Sequence, residues 1–550
     1  MNAGSISAEV EIVRKRAADL AARLSGSAGR SATVAQERGI LRMLGVDGLD
    51  RAGRPLGASL VERYCGSDRA RLARGVLLPF AVAMIEYDLA ARDLALDVVS
   101  GAIDLGLEAE LLERPERLAA AEAHASRLLA SALARFDANK TAAREMRAVL
   151  GQAEEPWLGV ALRADEIRPA AAEAKALLAE GADVVLVRVP ASWEFAEARR
   201  QAGLEIPGFF DSRRGRGRRG RGLAASAPDR RHGRGRPPLP QRTENDLVPA
   251  GSQRGLAELR HSADEAAAER GCYASLMTVA SAFAAPEQAV VAAFERIDLV
   301  VADPIREIVE ENVDPDRALA DHAFAHRLHF RAGTRLVLGP GPLALGEDVA
   351  SGIPSDAATR AGRALALQAL GVELALADGL LPDRLLLGAV PDWVAQERDH
   401  RSILVQAWLR RVVFPDHRLV LQEPQLEVST QGRNSALVAA LSAAPAALVI
   451  RDRSEGFVAD AAADLIEAAA AGSTLRAALG DGQLYGDAAA LAELILRAAD
   501  AALEHLAGEG WGSLLGPAGH DTETERLGYA AIVERATGPT SSARLLAALI

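Results

Sequence analysis

Lysine is nearly missing from this chain. Among 63 lysines and arginines in 550 residues, only Lys15, Lys140 and Lys175 are lysines. The bias points to GC-rich coding DNA and leaves almost no amine for Schiff-base catalysis. Cysteine is equally scarce. Cys65 and Cys272 make neither a disulfide framework nor a zinc spacing, which fits a reducing cytoplasm. Aromatic residues are 4% of the chain, so its core has to be aliphatic. The longest apolar run, Val76–Ile85, contains Pro79 and is too short for a membrane span. The first twelve residues are polar and acidic, unlike a secretory signal. No GxSxG, P-loop, CxxC or Rossmann GxGxxG stands in a usable context, and the Asp-x-His-x-x-Gly spacing of a cobalamin site is absent.

What is present is a repeating alternation between Trp157 and Asp452. Short apolar runs occur at Trp157–Arg163, Asp183–Val189, Tyr273–Ala280, Ile297–Ala302, Thr334–Gly339, Arg384–Val390, Arg418–Gln422 and Ala447–Arg451. They are continuous rather than alternating and rich in Val, Leu and Ile, the pattern of parallel strands buried on both faces. Ala/Leu/Arg-rich segments long enough for crossover helices separate them. Eight such units predict an α/β fold, a closed (β/α)8 barrel whose active site lies at the C-terminal ends of the strands.

The length exceeds one core, so roughly two or three domains are expected. Residues 1–150 read as a helical accessory domain, 151–470 as the barrel, and 471–550 as a helical C-terminal extension. In the first, Thr33-Val-Ala-Gln36 is a capping box opening a helix over Val34–Leu44. Arg69–Tyr87 reads as a helix kinked or broken at Pro79. The barrel pattern is interrupted at Ser212–Arg242, which holds eleven arginines and one acid and has no hydrophobic periodicity. A basic loop touching nucleic-acid phosphates, a plain linker and a local reading-frame error all fit it. No aromatic is interleaved for base stacking, and the net charge of −12 argues against general nucleic-acid affinity.

The strand ends supply the candidate site. Arg163 and Arg188 close strands one and two, where a cation suits a phosphate or carboxylate or serves as a solvated rim. Ser192 follows Arg188 as a possible helix cap. Gly251-Ser252 precedes a helix, as an anion cradle or an ordinary cap. Asp303 closes strand four just before Pro304, as a site residue or a helix N-cap, whereas Asp298 starts that strand and belongs to the opposite, stability face. Tyr273 begins strand three. Asp392, Glu423 and Arg451 complete a polar ring suited to a small zwitterion and an anionic cofactor. Arg360 and Arg363 ride on a long helix over Ala357–Asp378. His322, His326 and His329 share one helix face, but no HExxH glutamate stands between them, so no metal is assigned.

At Glu37-Arg38-Gly39-Ile40-Leu41-Arg42-Met43-Leu44-Gly45-Val46-Asp47-Gly48, Val187-Arg188-Val189-Pro190-Ala191-Ser192, Gly251-Ser252-Gln253-Arg254-Gly255-Leu256 and Ala285-Pro286-Glu287-Gln288, the chain resembles the large (alpha) subunit of lysine 5,6-aminomutase. The resemblance covers most of the chain outside Ser212–Arg242. It implies a TIM barrel with a helical accessory domain. It also implies an isomerase using pyridoxal 5'-phosphate and adenosylcobalamin, in which a radical 1,2-shift moves the terminal amino group of D-lysine or β-lysine to C5. A small (beta) subunit would carry the cobalamin and the Schiff-base lysine, as in a cytoplasmic heterotetramer with no nucleic acid or membrane partner. Carried over by matching motif, Arg188, Ser192 and Ser252 would contact the cofactor, Tyr273 would stack on its ring, and Asp303 and Glu423 would pair with ammonium groups of the substrate or with the cofactor. The mouth offers no lysine for the substrate carboxylate, so Arg360 or Arg363 takes that place. An ornithine-type aminomutase and a non-catalytic barrel scaffold are the alternatives.

Overall fold

A computed structural model describes residues 3–28, 31–51, 54–163, 167–188, 253–280, 283–339, 357–389, 400–422, 438, 441, 444, 446–452, 458–479, 486–512, 520 and 533–549. The first part of the chain is α1 (Ala3–Ala28), β1 (Ser31–Thr33), α2 (Val34–Met43), α3 (Leu56–Cys65), α4 (Arg69–Arg74), α5 (Leu77–Tyr87), α6 (Ala91–Ser100), α7 (Leu105–Leu111) and α8 (Pro115–Leu150). The barrel follows as β2 (Trp157–Arg163), α9 (Ile167–Ala179), β3 (Val184–Arg188), α10 (Gln253–Arg270), β4 (Ser275–Val279), α11 (Ala285–Phe294) and β5 (Leu299–Val301). It continues with α12 (Pro304–Glu310), α13 (Pro315–Ala332), β6 (Arg335–Leu338), α14 (Ala357–Ala377), β7 (Leu385–Ala389), α15 (His400–Val413), β8 (Arg418–Gln422) and β9 (Ala446–Asp452). Last come α16 (Val458–Leu479), α17 (Asp487–Glu509), β10 (Arg535–Thr537) and α18 (Ser541–Leu549).

Strands β2 to β9 pair in sequence order, all parallel, and β9 returns to β2 to close the barrel. Every expected apolar run carries one of these strands. The runs are continuously apolar because alternate residues enter two different cores. Val184 and Leu186 of β3 point into the barrel with Met277, Leu386 and Ile450. Val185 and Val187 pack outward against the helices with Leu177, Leu259 and Leu276. No helix among the described residues is long and apolar enough to cross a membrane.

The accessory helices form a second core that continues into barrel helices α11 and α13, through Ala289, Val290, Phe294, Phe324 and Leu328. Helix α2 is its centre, with every residue buried. Thr33 caps it in the expected box: its hydroxyl accepts the Gln36 N–H at 3.2 Å, and Gln36 Oε1 accepts the Thr33 N–H at 3.4 Å. Glu37 is fully buried and supplies the missing partners of another helix start. Its carboxylate accepts the Val76 N–H at 2.7 Å, just ahead of α5, and the Ser542 hydroxyl at 2.8 Å. Burial pushes its pKa up.

Two expectations change. The helix predicted over Arg69–Tyr87 breaks at Gly75, which has φ +83°, and not at Pro79. Pro79 sits in the first turn of α5, where a missing N–H breaks no helical bond. Nor do residues 1–150 pack as one helical unit. Helix α1 lies on α14 and α17 of the barrel's outer layer, with Arg16 paired to Asp500 at 2.7 Å. Conversely, β10 pairs antiparallel with β1, and Leu546 of α18 joins the accessory core. These contacts join segments hundreds of residues apart, which local pattern does not encode.

Helix α2 meets α11 at close range. A Cβ on Gly39 would lie 3.1 Å from Pro286 Cβ and 3.2 Å from its carbonyl oxygen. Gly39→Ala is expected to cost about 1–3 kcal/mol through overpacking, read as a lower denaturant midpoint with unchanged m-value.

Candidate active site at the barrel mouth

The C-terminal ends of β5, β6 and β7 are locked together by two buried side chains. Asp303, 1% exposed, follows β5 and caps α12. Its Oδ1 accepts the Ile305 N–H at 2.8 Å, and its Oδ2 accepts the Gly339 N–H at 3.0 Å at the end of β6. Burial raises its pKa, against the pull of these N–H groups and of His322 and Arg306. Gln368, on α14 and fully buried, continues the chain of contacts. Its Nε2 donates to Leu338 O at 3.3 Å and to Gly388 O at 2.9 Å, tying β6 to β7. A Cβ on Gly339 would fall 2.5 Å from Gly388 O, so only glycine allows this approach. Gln368 Oε1 is buried with no hydrogen-bond partner among the described residues. Sequence reasoning missed Gln368, since a glutamine inside an apolar helix gives no motif; its one signal is its polarity among neighbours that are all buried.

Three arginines from three elements hold the loop after β4. Arg306 Nη2 donates to Ala280 O at 2.7 Å, Arg38 of α2 donates to Phe283 O, and the Arg317 guanidinium lies 4.6 Å from the centre of the Phe283 ring. Phe283 has φ +67°, a conformation costly for an aromatic residue that persists only when its surroundings fix it. Arg38 also pairs with Glu287 at 2.7 Å, so the two quoted motifs Glu37–Gly48 and Ala285–Gln288 meet each other at this loop.

Behind Asp303 lies a ridge of buried histidines on α13. His322 Nε2 is 2.9 Å from Glu307 Oε1, both 1% exposed. Burial pulls its pKa down, but Glu307, Asp303 and Asp321 outweigh that and raise it. His326 Nδ1 is 2.8 Å from Asp378 Oδ2. His329 is driven down to about 3 by burial and by its two neighbouring histidines. Among the described residues no group of three or more histidines, cysteines or carboxylates is arranged to hold a metal.

The other expected site residues divide. Arg163 and Arg188 pair with each other as the last rung between β2 and β3, and only their main chain is described. Ser192, Ser252, Asp392 and Glu423 lie outside the described residues. Arg360 and Arg363 are half-buried on the first turns of α14, the end that faces the mouth, and each has polar or ring contacts. Tyr273 is a correction. It precedes β4 at the N-terminal end of the barrel, where its hydroxyl donates to Asp298 Oδ1 at 2.7 Å and Arg147 covers its ring at 4.6 Å. A ring bound at the mouth is out of its reach.

A closed parallel barrel whose strand ends are braced by buried polar side chains, with a helical unit clamped to one mouth loop, defines a TIM-barrel protein of the accessory-domain type. The family model for the D-lysine 5,6-aminomutase TIM-barrel domain of the alpha subunit matches residues 6–192 and 251–429. The chain belongs to this family. It is 24% identical over 417 residues to the lysine 5,6-aminomutase alpha subunit of Fusobacterium nucleatum subsp. nucleatum, covering 76% of this chain and 70% of that protein. It is 22% identical to that of Acetoanaerobium sticklandii over the same shares. Among solved structures it is similar to dihydropteroate synthases. The enzyme from Yersinia pestis matches at TM-score 0.30 and 12% identity, covering 60% of this chain and 94% of that one. The enzyme from Anaplasma phagocytophilum matches at TM-score 0.33 and 12% identity, covering 57% and 97%.

Replacing Asp303 with alanine strands two buried N–H groups and is expected to cost about 2–5 kcal/mol, whereas Asp303→Asn keeps one acceptor and loses less; chemical denaturation of both variants measures the difference. His329 adds a pH dependence. Its folded pKa lies below the unfolded value, so its contribution is complete above pH 6.5 and is lost as pH falls toward 3. The loss is about 1.4 kcal/mol per pH unit in that window. His329→Leu should flatten this part of the acid limb in stability measured from pH 7 to pH 4.

Proposed function

We propose that this chain is the barrel subunit of an isomerase that moves the terminal amino group of lysine, as D-lysine or β-lysine, to C5 by a radical 1,2-shift. It works with pyridoxal 5'-phosphate, adenosylcobalamin and a small cobalamin-binding subunit. The observation that carries this reading is where the lysines stand. Lys15 lies in α1, Lys140 donates to Arg331 O at the foot of the barrel, and Lys175 on α9 pairs with Glu265 and Glu269 at 3.0 and 2.9 Å. None lies at the C-terminal end of a strand. A barrel that binds a pyridoxal cofactor without its own lysine needs that amine from elsewhere, and the family's alpha-subunit name supports a second subunit.

The residue types proposed for the cofactor suit a phosphate held without a covalent bond. Gln368 Oε1 offers a buried acceptor with no partner among the described residues, at the ends of β6 and β7. Arg188, Ser192 and Ser252 are the proposed phosphate contacts, and Arg360 and Arg363 the proposed contacts for the substrate carboxylate. Glu423 and Asp303 would face ammonium groups; a carboxylate that accepts two N–H bonds still has lone pairs to offer. When bound, adenosylcobalamin supplies the radical and pyridoxal phosphate carries the migrating amino group. This chain's part is to bind, orient and exclude water.

Pyridoxal phosphate titrated into the chain alone should give no lysine-linked absorbance band. In a mixture with a small cobalamin-binding subunit the band should appear, and borohydride should fix the label on that subunit. A band from the chain alone would sink the divided site, and no band in the mixture would leave a scaffold.

A further inference from the structure

The far end of the barrel holds a cavity that the proposed reaction does not use. It lies between the second half of α8 and the N-terminal ends of β5 and β6, and its volume is about 110 Å3. Lys140, Arg144, Arg147, Arg296 and Arg384 line it, against one acid, Asp298. That acid is already consumed. Asp298 accepts bonds from Tyr273 at 2.7 Å, the Leu276 N–H at 3.0 Å, Arg260 at 3.2 Å and Arg147. Arg296 is neutralised by Asp264.

Lys140 and Arg144 have no such partner, and that of Arg384 is weak. Lys140 Nζ donates to a carbonyl, Arg331 O, at 3.2 Å, and among the described residues no carboxylate lies within ion-pair distance of it. Arg384 donates to Gly333 O at 3.0 Å, and its nearest acid is the exposed Asp383 at 3.7 Å. Arg144 is exposed and has no hydrogen bond or ion pair among the described residues. Arg335, on the first rung of β6, adds another guanidinium, stacked on Trp157 at 5.3 Å. Burial lowers the Lys140 pKa, and Arg384 lowers it further; Arg335 is likewise lowered by burial, then by Arg147 and Arg384. Asp137 also acts on Lys140, but its carboxylate is held by Arg331 at 2.7 and 3.0 Å, so the cations here outnumber the acids left to neutralise them although the chain's net charge is −12. Like charges held together without counterions destabilise the fold, and a bound anion removes that cost.

We propose that this cavity binds a phosphate group, either inorganic phosphate or the phosphate of a small metabolite, with Lys140, Arg144 and Arg384 as its donors. The space admits several waters or one phosphate with its closest waters. More than one unpaired cation favours a dianion over a single carboxylate, and the guanidinium forks match its oxygens. Ligand there would brace α8 against the barrel and stabilise the chain by mass action.

Calorimetric titration of the full chain with inorganic phosphate tests this, with thermal unfolding in phosphate and in chloride of equal ionic strength beside it. One saturable site is expected, with a higher Tm in phosphate than in chloride. Arg144 makes no bond in the fold, so Arg144→Ala should keep the Tm in chloride while weakening phosphate binding about tenfold; Lys140→Met loses the bond to Arg331 O as well, so it should weaken phosphate binding at least as much with a small fall of the Tm in chloride. Glycerol 3-phosphate that competes would assign the site to a phosphorylated metabolite, and its failure to compete would assign it to the free ion. Absence of saturable binding overturns the inference. So does binding that survives both variants but disappears in Arg188→Ala, since that phosphate would sit at the mouth.

Discussion

A parallel barrel closes only if the main-chain groups that run past its strand ladders find partners. At the mouth of this one, Asp303 and Gln368 supply them. The first takes N–H groups from beyond β5 and β6, and the second gives to carbonyls of β6 and β7. Both are buried, and buried main-chain polar groups without partners are expensive. The mouth is thus a rigid rim on which loops of variable sequence can be mounted.

The helical unit acts on that rim through charge. Arg38 of α2 reaches the loop after β4 beside Arg317 of barrel helix α13, and each is held by its own acids, Glu287 for the first, Asp321 and Glu534 for the second. Burial lifts the Asp321 carboxyl to about 6 even beside Arg317. Such pairs add little net stability over an apolar contact, but their geometry is demanding, and removing one partner strands the other. Their value here is positional: Phe283 keeps a backbone conformation that it would not adopt alone.

The barrel was legible in the sequence because strands buried on both faces are apolar without alternation, and eight such runs admit few other folds. The capping box at Thr33 was legible for a similar local reason. Positions set by contacts over hundreds of residues were not, among them α1 on the barrel and α18 in the accessory core. Tyr273 went wrong although a simple rule was at hand. A residue that opens a parallel strand lies at the foot of the barrel, as Asp298 does, and Tyr273 bonds to Asp298. The motif stretches at Val187–Ser192 and Gly251–Leu256 pointed to the family correctly, while Ser192, Ser252 and Glu423 lie outside the described residues.

The pairing of β1 with β10 also sets a schedule for synthesis. Ser31–Thr33 meets Arg535–Thr537, and Thr33 and Glu534 both reach α13 from that junction. At ribosomal speeds about 25–100 s separate the making of the two strands. For all that time β1 has an open edge, and the buried acid of α2 lacks Ser542. The barrel strands emerge in pairing order meanwhile, so the clamp on the mouth is finished last, after the barrel it grips.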